Sequence, residues 1–164
     1  MSYTQVETAL VYYPDVDQLD LTGYLVRGSL QLDMLDPSLF LYGGHQQLED
    51  DQRVKWQYLG LGYHAPVDMM TEVWIGVGYD RYDSELTSWI DERSLPTFRV
   101  GIRDQYTPQA EFYATFRYMH TDEAIKGYSL GTRLSGESHR LALLLEVDYF
   151  AGQAGVLLGL SASL

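Results

Sequence analysis

Cysteine is absent from this 164-residue chain, which excludes disulfides and thiol chemistry and leaves no trace of redox compartment. Lysine is scarce, with only Lys55 and Lys126, while the formal charge is −12. That balance argues against a nucleic-acid partner, because phosphate binding needs a basic face. No apolar run approaches the ~18 residues of a membrane-crossing helix. Met1-Ser2-Tyr3 passes at once into alternating sequence, so a mature form without a signal peptide is expected. The mean hydropathy of −0.20 resembles that of a soluble protein, yet a barrel strand that spans a bilayer is only half apolar. No linker or low-complexity tract divides the chain, and a single domain over residues 1–164 is expected.

What is present is a repeat in style. Segments of roughly ten residues alternate apolar and polar positions and close on turn residues. Ten can be read, at about 4–13, 20–32, 38–47, 53–64, 70–82, 97–105, 110–120, 127–135, 139–150 and 154–164. Each is near the ~9–11 residues that a tilted strand needs to cross a bilayer. The spacing predicts an all-β, up-and-down antiparallel transmembrane β-barrel of ten strands, with eight as the runner-up count. Every second connection, such as Asp33-Met34-Leu35-Asp36-Pro37 and Ala65-Pro66-Val67-Asp68, is tight. The others are expected to be mostly longer and acidic, at 14–19, 48–52, 83–96 and 121–126, with Ala151-Gly152-Gln153 as a short exception. Short turns at one rim and longer loops at the other would suit an outer-membrane barrel.

Parity sorts the side chains onto two faces. One is almost free of charge and carries, among others, Val6, Leu10, Leu59, Val77, Ile102, Leu130, Leu145 and Leu158. Its aromatic residues gather toward the strand ends: Tyr12, Tyr24, Tyr79, Phe98, Tyr118, Tyr128 and Tyr149 at one rim, Tyr63 and Phe112 at the other. These are the expected lipid-interface aromatics, since a ring with a polar tip suits the headgroup level. The other face carries Glu7, Arg27, Glu72, Asp80, Arg99, Arg103, Glu111, Arg117, Arg133, Arg140, Glu146 and Asp148, interspersed with glycine. Six acids against six arginines make this an expected lumen-lining charge network, with Trp56, Trp74 and Tyr113 helping to fill the interior.

Parity alone leaves open which face is inside. A soluble lipocalin-like barrel binding a lipophilic ligand would place the apolar face inward. An exterior of arginine and glycine without lysine would be unusual for that arrangement, and so many large apolar side chains would overfill a ten-strand lumen. Arginine suits a crowded interior, where its planar fork bridges carboxylates. The membrane arrangement is therefore expected.

With these features the chain resembles the small outer-membrane β-barrel proteins of Gram-negative bacteria, the broad OmpA-like and OmpX-like group. The resemblance is carried by Trp56-Gln57-Tyr58-Leu59-Gly60-Leu61-Gly62-Tyr63, Val73-Trp74-Ile75-Gly76-Val77-Gly78-Tyr79, Gly127-Tyr128-Ser129-Leu130-Gly131-Thr132-Arg133 and Gly155-Val156-Leu157-Leu158-Gly159-Leu160. It implies a bacterial outer-membrane location, with the lipid bilayer and lipopolysaccharide as partners. Members of that group usually end on an aromatic residue, whereas this chain ends Ser163-Leu164.

Catalysis, cofactors and a metal are not expected. A rim hydrolase would need histidine gathered with Ser, Asp or Glu; only His120, near Asp122 and Glu123, offers such a neighbourhood. Acid groups such as Asp15, Asp17 and Asp20 lack the spacing of a calcium loop and read as a solvated rim. Gly-x-Gly pairs lie mid-strand with no helix following, so they are not phosphate cradles. The expected function is a structural or surface-interaction barrel with a largely filled charged lumen, or a narrow passive pore.

Overall fold

The computed structural model describes residues 3–16, 18–86, 93–120, 124–136 and 140–164. Ten strands follow one another in chain order: β1 (Gln5–Val16), β2 (Leu19–Gln31), β3 (Leu39–Glu49), β4 (Arg53–Pro66), β5 (Thr71–Ser84), β6 (Arg93–Thr107), β7 (Ala110–Met119), β8 (Ile125–Ser135), β9 (Leu141–Phe150) and β10 (Gln153–Ser163). Every strand pairs antiparallel with its chain neighbours, and β1 pairs with β10 from Gln5↔Ser163 to Tyr12↔Val156. The sheet therefore closes into a ten-strand barrel with no free edge, and the eight-strand count is not realised.

The barrel decides which face is inside. Leu10, Leu59, Leu130 and Val77 are each more than 60 % exposed on the outer wall, while Glu7, Asp80 and Glu146 are at most 3 % exposed within. The lipocalin-like arrangement is thereby overturned, since its calyx would have to be lined by the residues that here point outward. Strict alternation along β9, from exposed Leu141 to buried Phe150, shows the period of two at its clearest.

The strands run further than the apolar pattern that marks them. β1 continues past Pro14 through a bulge, where the register against β2 shifts between Tyr13 and Val16 and Asp15 adopts a φ of 54°. At the same rim β3 and β4 stay paired to Glu49↔Arg53, and β5 and β6 to Tyr82↔Arg93. Hydrogen-bond ladders need only backbone, so acidic side chains do not end them. The expected contrast between short turns and long acidic loops is accordingly not found among the described connections. β1 ends at Val16 and β2 begins at Leu19, yet residues 32–38 separate β2 from β3 at the opposite rim. Much of the acidic sequence thus lies on strand extensions.

Glycine is required where a ring crosses the strand opposite. Tyr42 pairs across the β3–β4 ladder with Gly60, and a Cβ there would sit 2.3 Å from the tyrosine ring. Tyr113 lies over Gly131 of β8 in the same way, at 2.2 Å. Phe40 with Gly62 and Tyr58 with Gly44 repeat the arrangement within β3–β4. Inward glycine at these positions thus makes room for large neighbours.

Candidate functional site in the barrel lumen

Charge is distributed along the lumen in two tiers. Nearer the rim that carries the chain ends, six residues form one alternating acid–arginine chain. Glu146 receives Arg27 through both terminal nitrogens, at 2.5 and 3.2 Å. Arg27 also donates from Nε to Glu7 at 2.5 Å, and Glu7 accepts from Arg133 Nε at 2.5 Å. Arg133 pairs in turn with Glu111, which takes the Arg103 fork at 2.8 and 3.2 Å. The chain runs from β9 through β2, β1, β8 and β7 to β6. Glu72 stands directly opposite Arg103 in the β5–β6 register. Tyr113 braces the middle: its hydroxyl donates to Glu146 and accepts from Arg27 at 3.1 Å.

The second tier, nearer the opposite rim, holds two separate pairs set among rings. Arg99 bonds Asp80 at 2.7 Å and Arg117 bonds Asp148 at 2.6 Å. Asp80 also accepts from Trp56 Nε1 at 2.9 Å, and Asp148 accepts from the Tyr13 hydroxyl. Trp56, Tyr82 and Phe150 lie near-parallel, with all three centroid separations at 5.6 Å. Three equal separations set the rings at the corners of a triangle, an offset raft and not a single column. The Arg117 guanidinium carbon sits 4.2 Å from the Trp56 centroid and 4.3 Å from that of Phe150, placing its charge on two ring faces. Met119 accepts from the Tyr82 hydroxyl at the raft's edge and is fully buried. At the chain-end rim a smaller aromatic cluster of Tyr3, Phe40 and Tyr42 packs with Trp74, and Tyr3 stacks on His64 at 4.1 Å.

Of the residues expected in the charge network, Glu7, Asp80, Arg99, Arg103, Arg117, Arg133, Glu146 and Asp148 are buried, while Arg27, Glu72 and Glu111 are half-buried inside the barrel. Arg140 is the exception. It precedes β9, is exposed at the rim and joins no ion pair among the described residues. Of that set the interior keeps six acids and five arginines, and Arg93, half-buried on the same face of β6 as Arg99 and opposite Tyr82, adds a sixth arginine toward the rim. The expected interface aromatics all point outward, with Tyr118 half-buried and the other eight between 39 and 56 % exposed. Trp56, Trp74 and Tyr113 do fill the interior. The sequence reading left out the inward rings Tyr13, Phe40, Tyr42, Tyr58, Tyr82 and Phe150, although their parity was available.

The histidines do not assemble with acids among the described residues. His45 lies between Tyr24 at 3.5 Å and Gln57 at 3.4 Å on the outer wall, and His64 meets the Pro37 carbonyl. His120 is exposed beyond β7; Asp122, Glu123 and His139 fall outside the described residues. Among the described residues no group of three acids or histidines gathers to hold a metal.

No protein-family model matches the chain, and no curated protein does. Among solved structures, a KdgM porin determined in complex with disordered oligogalacturonate aligns with a TM-score of 0.54 at 10% identity, covering 98% of this chain and 99% of that one. KdgM porin itself aligns with a TM-score of 0.53 at 11% identity over the same shares. The chain has the fold of the small outer-membrane β-barrels that its sequence resembles.

Proposed function

We propose that the protein is an integral β-barrel of the bacterial outer membrane whose lumen is a packed, ion-paired plug, so that it serves as a wall-anchored scaffold and surface element and not as an open channel. The observation that carries this reading is the division of the wall. Large apolar side chains are exposed all round the outside while arginine–carboxylate pairs are buried within. In water that arrangement would expose a continuous apolar surface; in lipid the same surface is solvated. The plug reading is supported by the raft of Trp56, Tyr82 and Phe150 toward one rim and the Tyr3–Phe40–Tyr42 cluster toward the other. Barrels with wide aqueous lumens have many more strands.

Lipopolysaccharide is proposed as the partner at the rim opposite the chain ends. There the outer wall turns from apolar to charged, with Lys55 opposite Asp83 and Arg81 opposite Gln57, just beyond Tyr79. Guanidinium and ammonium groups at headgroup level suit lipid phosphates.

The purified protein is expected to require detergent and to migrate faster on a gel before boiling than after. In a planar bilayer it should conduct far less than an open porin. Leu145→Arg, on the outer wall of β9, is expected to cost about 2–4 kcal/mol in a bilayer, as a charge does at the midplane. Monodispersity in plain buffer, or a Leu145→Arg variant as stable as its parent in lipid vesicles, would exclude the membrane reading. A large, steady conductance would exclude the plug.

A further inference from the structure

The outer wall of the strands is shorter than the bilayer it has to match. On β7 the outward rings that mark the two rims, Tyr118 and Phe112, stand six residues apart. At ~3.4 Å per residue and a tilt of ~40° that is about 16 Å along the barrel axis, against an apolar band of ~25 Å. On β4 the distance is smaller still. Leu59 lies opposite Tyr79 and Tyr63 follows four residues on, so the girdles are about 10 Å apart there. The opposite rim adds nothing, because charged Arg81 and Lys126 come next outward after Tyr79 and Tyr128.

The missing length is present in the turns at the chain-end rim. Met34 and Met69 are fully exposed, and Leu35, Val67, Met70 and Tyr106 are exposed as well. Their turns are held in place. Asp36 accepts from the Ser38 N–H at 2.7 Å and Asp68 from that of Met70 at 2.7 Å, while Gln31 and His64 both meet the Pro37 carbonyl. These acids bond their own backbone, and apolar side chains are left at the tips. The tips also continue the wall: Tyr106 packs edge-on against Phe112, with centroids 6.3 Å apart, and the Val67 N–H still bonds across to Thr71. From Tyr79 to Thr71, where β5 begins, is about 21 Å by the same rise, and the turn beyond completes the band. We propose that the β2–β3, β4–β5 and β6–β7 turns are seated in the lipid leaflet at the chain-end rim, with Met34, Leu35, Met69 and Met70 against its acyl chains. Methionine, unbranched and flexible, suits such irregular apolar surroundings. The β8–β9 connection begins at Gly136 and ends at Arg140, both exposed and neither offering an apolar tip, and it stays in water.

The inference rests on the membrane reading above, and its test separates the two. The chain has no cysteine, so Leu145→Cys, Met34→Cys, Met69→Cys and Gly136→Cys can each carry a single bimane label. Each full-length variant is refolded into phosphatidylcholine vesicles, either with bromine on the upper acyl carbons or with iodide on both sides of the bilayer. Labels at 34 and 69 should be quenched by the brominated lipid, and their iodide quenching should be roughly threefold weaker than at 136. Either position suffices should substitution at the other disturb its turn. Iodide quenching at 34 and 69 equal to that at 136 would overturn the proposal and leave these tips to an aqueous protein partner. A label at 145 that brominated lipid fails to quench would overturn the membrane reading itself, and this proposal with it.

Discussion

The two tiers of the lumen bury the same chemistry by different means. In the tier near the chain ends, carboxylates are shared: Glu7 serves two arginines, and so does Glu111. The four inner charges, Arg27, Glu7, Arg133 and Glu111, are each neutralised from two sides. In the opposite tier each carboxylate has a single arginine, and rings take the place of the missing second partner. An aromatic face stabilises a cation but does not accept its N–H groups as a carboxylate does. Orphaned guanidinium donors accordingly occur at Arg99 and Arg117 and at none of the shared arginines. Sharing gives connectivity; ring packing gives closure.

Removing one member should separate the two tiers. Glu7→Ala leaves Arg27 and Arg133 without their shared partner, and a loss of about 3–5 kcal/mol is expected in denaturant unfolding from lipid vesicles. Arg117→Ala strands Asp148 alone, which still accepts from Tyr13, so the expected loss lies at the lower end, about 3 kcal/mol. Equal losses would mean that sharing confers nothing. Gly131→Ala drives a methyl into the Tyr113 ring that braces the shared chain, and overpacking should cost about 1–3 kcal/mol; an unchanged unfolding midpoint would show that Tyr113 is free to move.

The smallest effect is expected outside both tiers. In the β4–β5 turn, the backbone N–H groups of Met70 and Thr71 donate to Asp68 at 2.7 and 2.8 Å and hold its carboxyl below its ordinary value. A carboxyl depressed on folding contributes stability above its unfolded pKa, and that contribution is lost as pH falls through the folded value. Wild type should therefore lose slightly more stability on acidification than Asp68→Asn. Parallel acid profiles for the two proteins would remove this turn from the account.

Much of this was legible from alternation. A period of two assigns a face, and closure turns a face into inside or outside, so the ten strands and most of the charged lining could be read directly. Partner and depth could not. That Arg27 meets both Glu7 and Glu146 depends on how strands far apart in the chain face each other across a closed lumen. Arg140 fails for a simpler reason: its parity matches that of Glu146, but β9 begins at Leu141, and outside a strand parity constrains nothing. The acidic rim was read as loop because charge resembles turn sequence, whereas the ladders of β3–β6 continue through it. The inward rings share the parity of the charged lining, whereas residue type alone marks an aromatic for the lipid interface.

The rings seated on glycine have a bearing on how the barrel comes to exist. Three such couples, Phe40 with Gly62, Tyr42 with Gly60 and Tyr58 with Gly44, fall within β3 and β4. A slip of one residue in either direction would set Phe40 and Tyr42 against neighbours bearing side chains and put the inward face of one strand toward lipid. This hairpin can reject wrong alignments while the remaining strands are still unpaired, which makes it a natural place for assembly to begin and for proofreading to occur.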